Sequence, residues 1–196
     1  PDYAEAHNNL GSMLRELDRL EEAEVSYRQA IALEPDYYRA HSNLGMTLVA
    51  LGRLEEAEAS YRQSLILRPN YAKAHNNLGN VLQQLVRTDE AAVCLSTAIA
   101  LKPEYGEAHS NLGIILQALH KFKQAEVSFR QAIILNPNMA QAHNNFGNLL
   151  KELGKLEEAE ASYKQAILLD PDLAEVYSNL GTLLTDLKKW DDALAS

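Results

Sequence analysis

Apolar residues in this chain fall at helical spacing, in paired blocks separated by short polar gaps. Ala74, Leu78, Leu82 and Leu85 stand at i, i+4, i+8 and i+11, which marks one face of a first helix. A second helix is expected to open near Glu21, Glu55 and Glu157, whose carboxylates suit the positive end of a helix dipole. Between the two, Gly52 and Gly154 fit a turn in which the backbone goes left-handed. Each second helix must stop before Pro35, Pro69, Pro103, Pro137 or Pro171, because the residue preceding a proline is driven out of the helical region. Asp2, Asp36, Asp172, Asn70 and Asn138 follow those prolines, where the next first helix wants an N-cap. The pattern predicts antiparallel helix pairs, with helices of roughly a dozen residues, the length common in globular proteins.

The pairs are copies. Every proline lies 34 residues from the next, from Pro1 to Pro171. With each travels a histidine (His7, His41, His75, His109, His143, then Tyr177) and an asparagine (Asn9, Asn43, Asn77, Asn111, Asn145, Asn179). A glycine follows at Gly11, Gly45, Gly79, Gly113, Gly147 and Gly181, then an alanine from Ala23 to Ala193. A large apolar residue closes the set at Tyr27, Tyr61, Leu95, Phe129 and Tyr163. A fixed period of this length means one structural unit stacked along a line. The repeats run 1–34, 35–68, 69–102, 103–136, 137–170 and, in part, 171–196, so a single array over 1–196 is expected, cut from a longer protein. The glycine and alanine columns let two helix axes approach closely, and the aromatic is expected to fill space against the following repeat. A lone helix pair cannot bury its apolar face, so stacking carries the stability.

These columns resemble the tetratricopeptide repeat, with glycine, alanine, aromatic, alanine and proline recurring in register along the whole chain. Two departures are the histidine where the family commonly has a larger aromatic, and Leu95 beside Cys94 where the third repeat lacks its ring. The resemblance implies an all-α fold, an α-solenoid of antiparallel helix pairs in a right-handed superhelix. It also implies a concave surface, lined by first helices, of the kind that holds peptides or extended segments of other proteins.

Function is expected to rest on the asparagine column. With repeats about 10 Å apart and an extended chain advancing roughly 3.3 Å per residue, Asn9, Asn43, Asn77, Asn111, Asn145 and Asn179 would meet a peptide backbone about once every three residues. A carboxamide offers donor and acceptor alike, which suits a peptide group whatever its side chain. The row is similar to the asparagine ladder in the superhelical region of O-linked N-acetylglucosamine transferases, and the His-Asn-Asn-Leu-Gly segments at His7 and His75 add to that likeness. A structural reading competes, since asparagine at this place is common across repeats of many functions. Asn80 and Asn148, one turn on, are further candidates, with Gln83, Gln84, Gln117 and Lys151 behind them. The family's carboxylate clamp for acidic chaperone tails needs a lysine before the ladder. Here Asn8, Ser42, Asn76, Ser110, Asn144 and Ser178 stand there instead. Lys73 occupies one suitable place, but its companion is Asn77, and only Arg39 and Lys73 remain to attract an acidic ligand.

Charge and chemistry narrow the rest. The net charge of −9 and pI near 5.1 argue against nucleic acid, which needs a clustered basic surface. The first repeat carries eight acidic and three basic residues, whereas the middle repeats are close to neutral, so no ion funnel is expected there. No apolar run suits a membrane span, and the single Cys94 excludes an internal disulfide and fits a reducing, cytoplasmic setting. The histidines fall one per repeat, too far apart to converge on a metal ion. No nucleophile, paired carboxylates or phosphate loop is present, so the segment is read as non-catalytic and free of cofactors. The leading reading is a module binding an extended polypeptide. The alternatives are the substrate-recruiting arm of a transferase similar to those named above, a scaffold that self-associates into homo-oligomers through its ends, and a chaperone-tail clamp.

Overall fold

A computed structural model describes residues 3–194 of the chain, and side chains through residue 187. The helices are α1 (Ala4–Glu16), α2 (Leu20–Leu33), α3 (Tyr38–Ala50), α4 (Leu54–Leu67), α5 (Ala72–Gln84), α6 (Thr88–Leu101), α7 (Gly106–Ala118), α8 (Phe122–Leu135), α9 (Ala140–Glu152), α10 (Leu156–Leu169) and α11 (Ala174–Leu194). Among the described residues there is no strand, and the fold is an all-α solenoid of consecutive antiparallel pairs. They gather into two compact units, residues 1–103 and 104–196, each with its own packing. Within each unit a first helix meets its own second helix and also the first helix of the next repeat, as α1 meets α3 and α7 meets α9. First helices therefore form a continuous layer within a unit.

The turns inside each pair explain the sharp reversal. Asp18, Val86 and His120 take φ of 58°, 60° and 56°, and Gly52 and Gly154 take 73° and 72°. The residue after each closes back on the helix, as Arg53 N–H does on the Leu48 carbonyl at 2.9 Å and Arg87 N–H on Leu82 at 2.8 Å, which satisfies orphan carbonyls in the Schellman manner. Only glycine takes such a φ without cost, so the turn at Val86, a β-branched residue, is strained.

Three expectations need correction. The residues after the prolines are not N-caps: α3, α5 and α9 are capped at Tyr37, Tyr71 and Met139, with no side-chain cap bond, so Asp36, Asn70 and Asn138 fall one residue short. The cap position goes instead to a half-buried side chain, and burial of that side chain at the seam outweighs a cap bond. Asp172 sits in the turn, its own N–H on the Asp170 carboxylate at 3.1 Å, and Asp2 lies outside the described residues. The large apolar residue packs first on its own repeat. A methyl group at Gly11 would stand 2.8 Å from the Tyr27 ring, and one at Gly147 2.6 Å from Tyr163. Leu95 takes the same place, with its Cγ 2.7 Å from a methyl group at Gly79, which is why the missing ring leaves the fold unchanged. Contact with the following repeat is secondary, as in Phe129 to Phe146 at 6.2 Å between centroids. Finally, α11 runs unbroken for 21 residues where earlier first helices stop after 13, so no separate second helix forms in the last repeat among the described residues. Lys188 stands at the position that is left-handed in the other five repeats, and continuing the helix avoids that conformation.

Side chains tie repeats together on the second helices. Glu24 takes Arg28 of its own helix at 2.8 Å and Arg53 of the next repeat at 2.6 Å; Glu58 does the same with Arg62 and Arg87 at 2.8 and 2.7 Å. In the second unit Glu126 joins Arg130 and Lys155 at 2.8 and 2.9 Å. At this exposure solvent screens each pair, and each adds little to stability. The histidine column has a similar seam role: the rings of His41, His75 and His143 place Nε2 at 2.9, 2.8 and 3.0 Å from the carbonyls of Pro35, Pro69 and Pro137.

Candidate functional site

The ladder asparagines sit two residues before the glycine that meets the second helix, which turns them toward the neighbouring first helix of the layer. Asn9 is exposed, and Asn43, Asn77, Asn111, Asn145 and Asn179 are half-buried. Their amides are partly engaged within the protein. Asn43 Nδ2 donates to Asn8 Oδ1 at 2.9 Å, and Asn179 Nδ2 donates to Asn144 Oδ1 at 3.0 Å. Asn77 Oδ1 takes a long bond of 3.4 Å from Asn76 Nδ2, and Asn145 Oδ1 accepts from Gln141 Nε2 at 3.2 Å. The Asn77 Nδ2 is buried with no hydrogen bond of good geometry, although the Tyr61 hydroxyl lies beside it. Burial pushes the Tyr61 phenol up, with Asn77 opposing in part, so Tyr61 stays a neutral hydroxyl.

In the first unit Asn77 and Asn80 come together in one cavity of about 240 Å³, with Met46, Val49, Tyr61, Val81 and Gln84 around them. Its lining is neutral, mixing apolar side chains with three carboxamides. Lys73 is exposed, and among the described residues it has no ion pair. In the second unit Asn148 does not stand with the ladder asparagines as an open group, because its Oδ1 accepts the Tyr163 hydroxyl at 2.7 Å. Gln117 and Lys151 are likewise engaged with the following repeat, through Glu152 at 2.7 Å and Asp186 at 3.4 Å. Burial holds the half-buried Cys94 as a neutral thiol by raising its pKa, so it is a poor nucleophile. No group of histidine, cysteine or carboxylate able to hold a metal ion occurs among the described residues, and no helix there is long and apolar enough to cross a membrane.

Sequence reasoning missed Asn8 and Asn144, the buried partners of the ladder, and the cavity wall at Met46, Val49 and Tyr61. A signal for the first was visible in the alternation of asparagine and serine just before each ladder residue. Nothing in the sequence marked the second, since Met46 has serine, asparagine, isoleucine or threonine as its counterparts.

Family models described as TPR repeat match residues 11–52, 45–86 and 147–188, and others described as tetratricopeptide repeat match 72–105, 106–139 and 128–161. No curated protein matches the chain in sequence. Among solved structures, a thermophilic TPR protein of Thermus thermophilus is 22% identical and covers 93% of this chain and 99% of its own, with a TM-score of 0.77. YrrB, described as a TPR protein with an unusual peptide-binding site, is 23% identical over 90% of this chain and 91% of its own, with a TM-score of 0.70. The Cut9–Hcn1 hetero-tetramer of the APC/C gives a TM-score of 0.88 at 18% identity, over 96% of this chain and 38% of that one. At these identities the likeness is one of fold.

Proposed function

The chain belongs to the tetratricopeptide repeat family, and from that premise we propose that it is a non-catalytic interaction module holding an extended polypeptide along its first helices. The observation that carries the reading is the ladder's residual bonding capacity. Asn43 and Asn179 each spend one N–H on a neighbour, and among the described residues no intramolecular donor reaches their Oδ1. Asn145 has its Oδ1 engaged by Gln141 and spends no N–H on a neighbour there. Amide atoms left open in this way match the donors and acceptors of a peptide main chain. The neutral cavity at Asn77 and Asn80 has room for an uncharged side chain of the same ligand. That a protein of this fold is described as having a peptide-binding site agrees with the reading.

The test uses a peptide selected from a random-sequence phage library on the protein itself. Changing Asn111 and Asn145 of the second unit together to alanine should weaken it about fivefold to a hundredfold, since each hydrogen bond contributes roughly 0.5–1.5 kcal/mol. Unchanged affinity with intact helicity would end the proposal. A second reading, self-association, is favoured by one patch: Leu10, Met13, Leu17 and Val25 are 46%, 62%, 66% and 68% exposed. Light scattering that gives a monomer at every concentration removes it.

A further inference from the structure

The residue before each ladder asparagine alternates along the chain: Asn8, Ser42, Asn76, Ser110, Asn144, Ser178. The alternation has a structural counterpart. Where the preceding repeat supplies Asn8 or Asn144, that side chain is buried, at 6% and 0% exposure. Its Oδ1 then captures an N–H of the next repeat's ladder residue, Asn43 at 2.9 Å and Asn179 at 3.0 Å. The two bonds lie in different compact units, so the device recurs independently. Where the preceding repeat supplies Ser42, no such capture occurs. Ser42 Oγ is buried near the Tyr71 hydroxyl without a hydrogen bond of good geometry, and Asn77 Nδ2 lies buried beside the Tyr61 hydroxyl instead.

We infer that Asn8 and Asn144 are positioning residues that give the ladder an alternating polarity. This rests on the reading above, that the ladder holds a peptide main chain. A carboxamide pinned by one N–H keeps its oxygen on the side away from the pin, so Asn43 and Asn179 present an acceptor and take a peptide N–H. Asn145 has Oδ1 engaged by Gln141, so it presents Nδ2 and takes a peptide carbonyl, whereas Asn77, whose Nδ2 is buried beside the Tyr61 hydroxyl, takes no part. In the second unit the recognition unit is then two repeats, those of Asn145 and Asn179, and not one. Proline, which has no N–H, is excluded where a peptide faces Asn43 or Asn179 and accepted where it faces Asn145.

The experiment uses the phage-selected peptide and its series of single backbone-ester analogues, each lacking one N–H. The peptide unit facing Asn43 is the one whose ester penalty disappears in Asn43→Ala. In the unaltered protein that ester should cost about threefold to tenfold in affinity, the worth of one hydrogen bond. In Asn8→Ser the penalty should fall toward none, because the freed amide can turn either end to the ligand. The chain already carries serine at that place in Ser42 and Ser110, so the variant keeps a side chain the fold accepts. An ester penalty that is absent, or the same in Asn8→Ser, overturns the alternating polarity while leaving peptide binding intact. Affinity indifferent to every ladder asparagine overturns the peptide reading and the polarity with it. Slow hydrogen exchange of the Asn43 side-chain amide without ligand, lost in Asn8→Ser, supports the pin on its own.

Discussion

Ser42 Oγ and Asn77 Nδ2 are buried without a hydrogen bond of good geometry, although the Tyr71 and Tyr61 hydroxyls lie beside them, and Ser42→Asn should improve on both. In the preceding repeat the same site holds Asn8, whose Oδ1 meets Asn43 Nδ2 at 2.9 Å; the substitution would offer an equivalent oxygen to Asn77 Nδ2. An unsatisfied buried donor costs about 1–3 kcal/mol, and removing a lone buried hydroxyl adds to the gain. Against this stands the extra volume at a site only 1% exposed, and overpacking costs about 1–3 kcal/mol where neighbours cannot yield. The equivalent asparagines Asn8, Asn76 and Asn144 are accommodated by the same backbone, but the new side chain brings an Nδ2 of the kind that Asn144 leaves buried without a partner, so only about 1 kcal/mol of net stabilisation is expected to remain. For a chain of this size that raises Tm by roughly 2–4 °C. Thermal and urea unfolding followed by far-UV circular dichroism measures it, with Ser42→Ala as the comparison, because alanine removes the hydroxyl but supplies no acceptor. Asparagine must exceed alanine. A Tm equal to that of alanine, or below the unaltered protein, refutes the idea that the missing partner is what the site lacks.

Other outcomes follow from the same packing. Gly79→Ala sets a methyl carbon 2.7 Å from Leu95 and should destabilise by about 1–3 kcal/mol, whereas Gly181→Ala meets nothing within 4 Å and should stabilise by roughly 0.5–1 kcal/mol through helix propensity; equal effects would undo the close-approach argument. Val86→Gly relieves a left-handed valine that is 84% exposed and should stabilise by about 1 kcal/mol, read as a rise in the urea midpoint. Hydrogen bonds from Arg130 and Lys155 hold the Glu126 carboxyl below the ordinary glutamate value of 4.5. A carboxyl depressed on folding stabilises above its unfolded pKa and loses that contribution as pH falls through the folded one. Unfolding midpoints should therefore drop as pH falls below about 4.5, and less steeply in Glu126→Gln; parallel pH profiles would show that this pair is not coupled to folding.

Much of the architecture was legible because one rule was written six times. Periodic glycines and alanines marked the helix pairs and their close approach, and Gly52 and Gly154 marked the turn. Asp18, Val86 and His120 adopt the same turn without advertising it, since closure of the Schellman bonds outweighs their reluctance. The capping rule failed for a competing reason, as Tyr37 and Tyr71 bury part of a ring where a small polar residue would only cap. Pairings across repeats were the hardest to foresee. Asn8 and Asn43 lie 35 residues apart, and Glu24 and Arg53 lie 29 apart. Such offsets become contacts only after the stacking angle between repeats is known, which no local pattern encodes.

The ion pairs of the second helices carry a consequence for how such a chain can change its length. An inner repeat offers an acid to the copy ahead and a base to the copy behind, as the second repeat does with Glu58 and Arg53. Duplicating that stretch in frame would insert a module whose two faces already fit its neighbours, leaving no charge stranded at the new joints. Inheritance by whole copies is thus nearly free of penalty, while an insertion of any other length would misalign every seam beyond it.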